Sequence, residues 1–268
     1  MAFSKFLDAK RPDCKALVSE LRKSFAYVSI LGVDIKAAAI RVDRNTSSIN
    51  PGFDTECGFV VKMHNGSVFY EYSLDDISGD IPALARKIAA SVICENSNTI
   101  AESTLPDEPL QQDFAREHDL ADYTESQLLS FCKEQCAALL GKSEYILNAM
   151  VNLQQMETSK LFISENRELS QNYAWVNGIM VAIYKENDKV VQAYESANHH
   201  NIADVLAELP TKQEKLLHTA HCLTLAKPIE PGVYDVITDP SITGLIAHEA
   251  FGHGVEMDQF VKDRALAK

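Results

Sequence analysis

The residues with the clearest chemical potential are His248-Glu249-Ala250-Phe251-Gly252-His253, two histidines five residues apart with a glutamate beside the first. These are the residue types of a hydrolytic metal site. Neutral imidazoles hold zinc, the ion acidifies a water, and a carboxylate takes that water's proton as it attacks a carbonyl. The common zinc-protease pattern, H-E-x-x-H, sets its histidines at i and i+4 on one helix face. Here the spacing is i, i+5. At 3.6 residues per turn the two side chains would stand roughly 140° apart on a regular helix, too far apart to share an ion. One extra residue in the turn, a π-bulge, returns them to one face, and Gly252 and Gly254 make that distortion cheap. The spacing alone leaves a second reading open, a helix with two ordinary polar contacts.

The elements that must position this motif lie just upstream. Asp239-Pro240 opens a helix, Asp as N-cap and Pro at the first helical position, where a missing N–H costs nothing. Ile242, Leu245 and Ile246 make that helix apolar, so His248 and Glu249 need partners wherever the helix is buried. Val233-Tyr234-Asp235-Val236-Ile237 reads as a short buried strand before it.

The wider segment, Gly232 to Pro240 and then Gly244 to Asp258, resembles the TldD/PmbA family of metallopeptidases. Members carry a strand, a proline-started helix and H-E-A-x-G-H-x-x-E-x-D, and the chain matches it at His248, Glu249, Ala250, Gly252, His253, Glu256 and Asp258. The resemblance implies a zinc-dependent peptidase with His248 and His253 as zinc ligands and Glu249 as catalytic base. It further implies a homo- or heterodimer with a related subunit, acting on unfolded or extended peptides. Glu256 and Asp258 follow closely enough to be an extra ligand or partners that orient an imidazole. The family's third ligand is a cysteine far downstream. The chain stops at Lys268 with no such cysteine, so the expectation is a fragment cut within the catalytic domain. A rival reading from another class is a non-catalytic partner subunit or dimerisation module of such an assembly; the intact Glu249 counts against it.

Composition bounds the remaining choices. Hydrophobic content of 46% and charged content of 24% are those of a globular chain long enough for one to three domains. A net charge of −13 argues against direct nucleic-acid binding, because a phosphate-binding surface needs concentrated Lys and Arg. Some members of the resembled family carry the name of DNA gyrase modulators, a role this charge does not support. No run of eighteen apolar residues predicts a membrane span, and Met1–Lys10 has no secretory h-region, so a cytoplasmic location is expected. Six cysteines without a C-x-x-C pair read as reduced core residues, Cys132 and Cys136 included.

Along the chain the expected class is α+β, helices packed on mostly antiparallel sheets. Residues 1–94 form a first unit. It has a helix capped by Asp13, strands at Phe25–Leu31 and Ala37–Val42, a loop over Arg44–Thr55, a hairpin around Asn65-Gly66, and a helix started by Asp80 and Pro82. Residues 95–119, polar with two prolines, read as a linker. Residues 120–227 form a second unit, with a helix opened by the capping box Thr124-Glu125-Ser126-Gln127 and strand candidates at Tyr145–Leu153 and Lys160–Ile163. A hairpin of Tyr173–Tyr184 with Val190–Tyr194 follows, then a helix opened by a second box at Thr211-Lys212-Gln213-Glu214. Residues 228–268 begin a β-rich catalytic domain. His199-His200 read as a solvated turn; His218 with Cys222, at i and i+4, could chelate, but a helix followed by a domain boundary accounts for them as well.

Overall fold

The computed structural model describes residues 3–65, 68–92, 108–261, 263 and 264. The chain forms two compact units, Met1–Ala226 and Lys227–Lys268. The first is an α+β unit built on one eight-stranded sheet, mostly antiparallel. Its strands are β1 (Tyr27–Asp43), β2 (Ser47–Asn50), β3 (Glu56–His64), β4 (Phe69–Leu74), β5 (Leu110–Ala115), β6 (Ile146–Ser164), β7 (Arg167–Glu186) and β8 (Lys189–His199). The order is β4-β3-β1-β6-β7-β5, with β2 beside β1 and β8 beside β7. Residues 1–94 and 120–227, expected as two units, thus contribute to a single sheet: β1 pairs with β6 without interruption from Ser29↔Ser164 to Asp43↔Met150.

Five helices join the sheet: α1 (Lys5–Leu21), α2 (Ile81–Ser91), α3 (Glu125–Gly141), α4 (Ile202–Glu208) and α5 (Gln213–Leu225). They cover one face. One core cluster joins α1 and α2 to Val28 and Ile30 of β1 and Leu161 and Ile163 of β6. The other joins α3, α4 and α5 to Ile40 and Val42 of β1 and Val151 and Leu153 of β6. These strand residues are spaced in twos, so they lie on the same side of the pleat. The two clusters therefore sit side by side along the long central strands. Gly178 of β7 permits the close approach of α4, since a Cβ there would lie 2.6 Å from Val205 Cγ1.

Several expectations hold locally. Asp80 caps α2 through Ala83 N, and Thr124 with Gln127 forms a complete capping box on α3. The β3–β4 and β7–β8 hairpins pair as expected. In the second, Asn187 and Asp188 take φ of 52° and 61°, as a tight primed turn requires. Gly66 of the first turn lies outside the described residues, as does 95–107 of the expected linker.

Other expectations are corrected. The first helix is capped by Ser4, whose Oγ accepts from Leu7 N, and it runs through Pro12. The buried stripe Leu7, Cys14, Leu17, Val18 and Leu21 gains more from packing than the helix loses at one missing N–H. The pairs of short strands expected at 25–42 and 145–163 are each one long strand, β1 and β6. The stretch expected as loop contains β2, and the described part of the expected linker contains β5, which pairs in parallel with β7. Every residue of β5 is exposed, which is why its sequence carries no apolar alternation. The Thr211 capping box does not form: α5 continues from a 3-10 turn at Leu209–Lys212, and the Thr211 hydroxyl donates back to the Glu208 carbonyl. No described helix is long and apolar enough to cross a membrane.

In the second unit, Val233–Ile237 is neither a strand nor buried; Val233, Val236 and Ile237 are exposed. A strand needs a ladder partner, and among the described residues of this unit there is no other strand. The ordered elements here are α6 (Pro240–Ile246), a π-turn at Ala247–Gly252, a 3-10 turn at His253–Val255 and α7 (Met257–Val261).

Candidate metal centre

Helix α6 starts where the sequence places it. The Asp239 side chain accepts from Ile242 N at 2.8 Å, and Pro240 occupies the first helical position. The α-helical ladder runs to Ile246 and then widens. Over Ala247–Gly252 it becomes a π-turn, in which the His253 amide donates to the His248 carbonyl five residues back. This is the extra residue that the i, i+5 spacing requires. Gly252 lies within it, and Gly254 follows directly.

The π-turn brings the two imidazoles together. Their ring centroids are 4.6 Å apart at an interplanar angle of 74°. One ligand atom each from His248, Glu249 and His253 lies within 4.8 Å of the others, and all three residues are exposed. Glu249 Oε2 is 3.8 Å from His253 Nε2. On the far side of the ring, His253 Nδ1 is 2.7 Å from Glu256 Oε1. A carboxylate can only accept, so in this contact Nδ1 donates to Glu256, and Nε2 lies on the side of Glu249. Donors about 2.0–2.1 Å from one zinc ion can be at most about 4.2 Å apart, so small side-chain rotations bring this set into range. Two imidazoles suit zinc, and the carboxylate beside them suits either a further ligand or the base for a bound water. Asp258 stands apart from the cluster, in the first turn of α7, and accepts from Gln259 Nε2 at 3.2 Å.

The other sequence candidates are not assembled into centres. Cys222 Sγ lies 3.6 Å from His218 Nε2, an exposed pair joined by no third donor among the described residues. His221, on the same helix, bonds Glu186 Oε2 at 2.6 Å. The expected solvated turn at His199-His200 is instead pinned: His199 meets Glu208, while His200 bonds the Ala174 carbonyl at 2.7 Å and packs against Trp175. Cys132 and Cys136 are core residues, and burial pushes the Cys132 thiol up to about 12.

No family model and no curated protein matches the sequence. Solved structures match through their fold. A protein of Bacteroides thetaiotaomicron, named as a candidate modulator of DNA gyrase, superposes with a TM-score of 0.62 at 12% identity, over 80% of this chain and 50% of that one. A protein of Thermotoga maritima with the same description gives 0.56 at 10% identity, over 82% and 50%. TldE from Thermococcus kodakarensis gives 0.54 at 10% identity, over 78% and 46%. This chain shares their fold. It spans about half the length of each.

Proposed function

We propose that the chain carries the histidine–glutamate centre of a zinc-dependent peptidase of the TldD/PmbA type, acting on unfolded or extended peptides in the cytoplasm as a dimer with a related subunit. The observation that supports this most is the π-turn, which brings His248 and His253 onto one side of the helix with Glu249 between them. The fold shared with TldE supports the family assignment.

Zinc held by His248 and His253 would supply Lewis-acid polarisation of a peptide carbonyl and would acidify water. The residues of the chain supply the rest. Glu256 accepts the Nδ1–H of His253 and holds the ring with Nε2 inward. Glu249 takes a proton from the attacking water on its carboxylate and returns it to the leaving amine nitrogen. Its Oε2, 3.8 Å from His253 Nε2, is close enough to the imidazoles to serve a water bound beside them.

The test is zinc content by elemental analysis after dialysis, on this chain and on a His248→Ala/His253→Ala variant, followed by hydrolysis of a flexible peptide. The reading expects close to one zinc per chain, lost in the double variant, and hydrolysis abolished by Glu249→Gln with zinc retained. A chain that binds no zinc, with a longer chain that includes the downstream cysteine binding none either, would overturn the metal assignment. A chain that binds zinc but cleaves equally well as Glu249→Gln would overturn the role of the base. Zinc without hydrolysis would favour the non-catalytic partner subunit.

A further inference from the structure

A second polar cluster lies in the first unit, on the helix-covered face of the sheet where the central strands pass between the two core clusters. Asp34 and Lys36 of β1 and Gln155, Glu157 and Ser159 of β6 fall in the same face register as the core residues on either side. Two cavities of about 410 and 270 Å³ lie here, both lined by Lys36 and Glu157. The larger is walled by the start of α1, including Lys5 and Phe6, and the smaller by Gln155 and Leu120. The larger falls within the size range of small-ligand pockets.

Beneath this trough, beside Glu157, the hydrogen-bond inventory is incomplete within the protein. The His118 side chain is fully buried, 3.5 Å from Glu157 Oε1, and neither of its ring nitrogens has a hydrogen-bond partner. Gln155 Oε1 is likewise buried and unpartnered. Native structures rarely leave such atoms unsatisfied. Among the described residues, Lys5 and Lys36 make no ion pair, whereas Asp34 accepts only from the Ser4 hydroxyl. Cations and carboxylates thus alternate along one floor, with orphaned acceptors beside Glu157 and an apolar wall at Phe6.

We infer that this trough binds a small zwitterion, a free α-amino acid or a short peptide with both termini charged. A simple anion would face Asp34 and Glu157, and a simple cation would face Lys5 and Lys36; only a ligand bearing both charges matches both sets. The ligand carboxylate is held by the two lysines. Its ammonium donates to Glu157, and its side chain packs on Phe6. This inference does not rest on the metal centre.

Isothermal titration on the full chain carrying His248→Ala/His253→Ala removes any metal chemistry and isolates the trough. The probes are leucine, the dipeptide Leu-Leu, and Leu-Leu capped by acetyl and amide groups. Leucine or the dipeptide should bind saturably and the capped dipeptide about tenfold or more weakly, because capping removes the charged ends that the trough pairs. Glu157→Gln, which is isosteric, and Lys36→Gln, at an exposed position, should each weaken binding by about tenfold while the thermal melt stays in place. Absence of saturable binding, equal binding of the capped dipeptide, or unchanged affinity in Glu157→Gln would each overturn the proposal. None of these outcomes bears on zinc content, so the two readings fail separately.

Discussion

Replacing Glu256 by glutamine tests how the centre is held in order. In the native arrangement His253 Nδ1 lies 2.7 Å from Glu256 Oε1. Glutamine keeps the volume and offers a carbonyl acceptor but removes the acceptor's charge. Outer partners of metal-bound histidines are typically worth 10–100-fold in metal affinity. Both side chains here are half exposed, at 49% each, and solvent screens a charge-assisted bond at such a site. The expected loss is therefore at the low end, about tenfold, or about 1.4 kcal/mol. Competition with a chromophoric chelator at fixed pH and ionic strength reads this directly. His248→Ala, which removes a ligand outright, sets the scale and should cost far more. An affinity within about twofold of the native chain would refute the claim that Glu256 orients His253. A loss as large as that of His248→Ala would mean that Glu256 is itself a ligand.

Three further outcomes are expected. Gly178→Ala should destabilise the first unit by about 1–3 kcal/mol in urea denaturation, because the new Cβ would lie 2.6 Å from Val205 Cγ1 and 3.0 Å from Leu209 Cδ2; an unchanged midpoint would show that α4 shifts freely. Lys15 at 2.6 Å, with Arg11 at 3.0 Å, holds the Glu168 carboxyl below the usual carboxylate range. Its contribution is complete above the unfolded value near about 4.3 and is lost as pH falls through the lower native value, so the acid side of the stability profile should flatten in Glu168→Gln. Burial pushes the Cys14 and Cys132 thiols up to about 12, while Cys57 and Cys222 are exposed. Iodoacetamide at pH 8 should therefore modify Cys222 and Cys57 in the native chain and reach Cys14 and Cys132 only in denaturant, as mass spectrometry of the labelled peptides would show.

What the sequence made legible follows the range of the forces involved. The start of α6 is written in two adjacent residues, Asp239-Pro240, and the π-turn in the spacing of two histidines, because both are local constraints on one helix. The β7–β8 turn is legible for the same reason. The long strands were not, since Asp34 and Lys36 in β1 and Gln155 and Glu157 in β6 interrupt the apolar pattern midway. Those interruptions look like strand ends in sequence; in the structure they are a polar band crossing continuous strands. Val233–Ile237 failed the other way, as an apolar run whose composition cannot supply the neighbour that a strand requires. Of the candidate sites, the His248–Glu249–His253 cluster was visible as a motif. His118 was not, because its neighbour Glu157 comes from a distant strand and nothing local marks a lone histidine as buried.

The pairing of β1 with β6 also sets an order of events during synthesis. At about 5–20 residues per second, roughly ten seconds pass between the emergence of β1 and that of the strand that covers its edge. Through that interval a seventeen-residue strand with Ile30, Ile40 and Val42 stands with one edge open on the nascent chain, a template for association with neighbouring chains. Asp34 and Lys36, set midway along it, place opposite charges where such a mismatched sheet would have to grow, and so guard the strand until its own partner arrives.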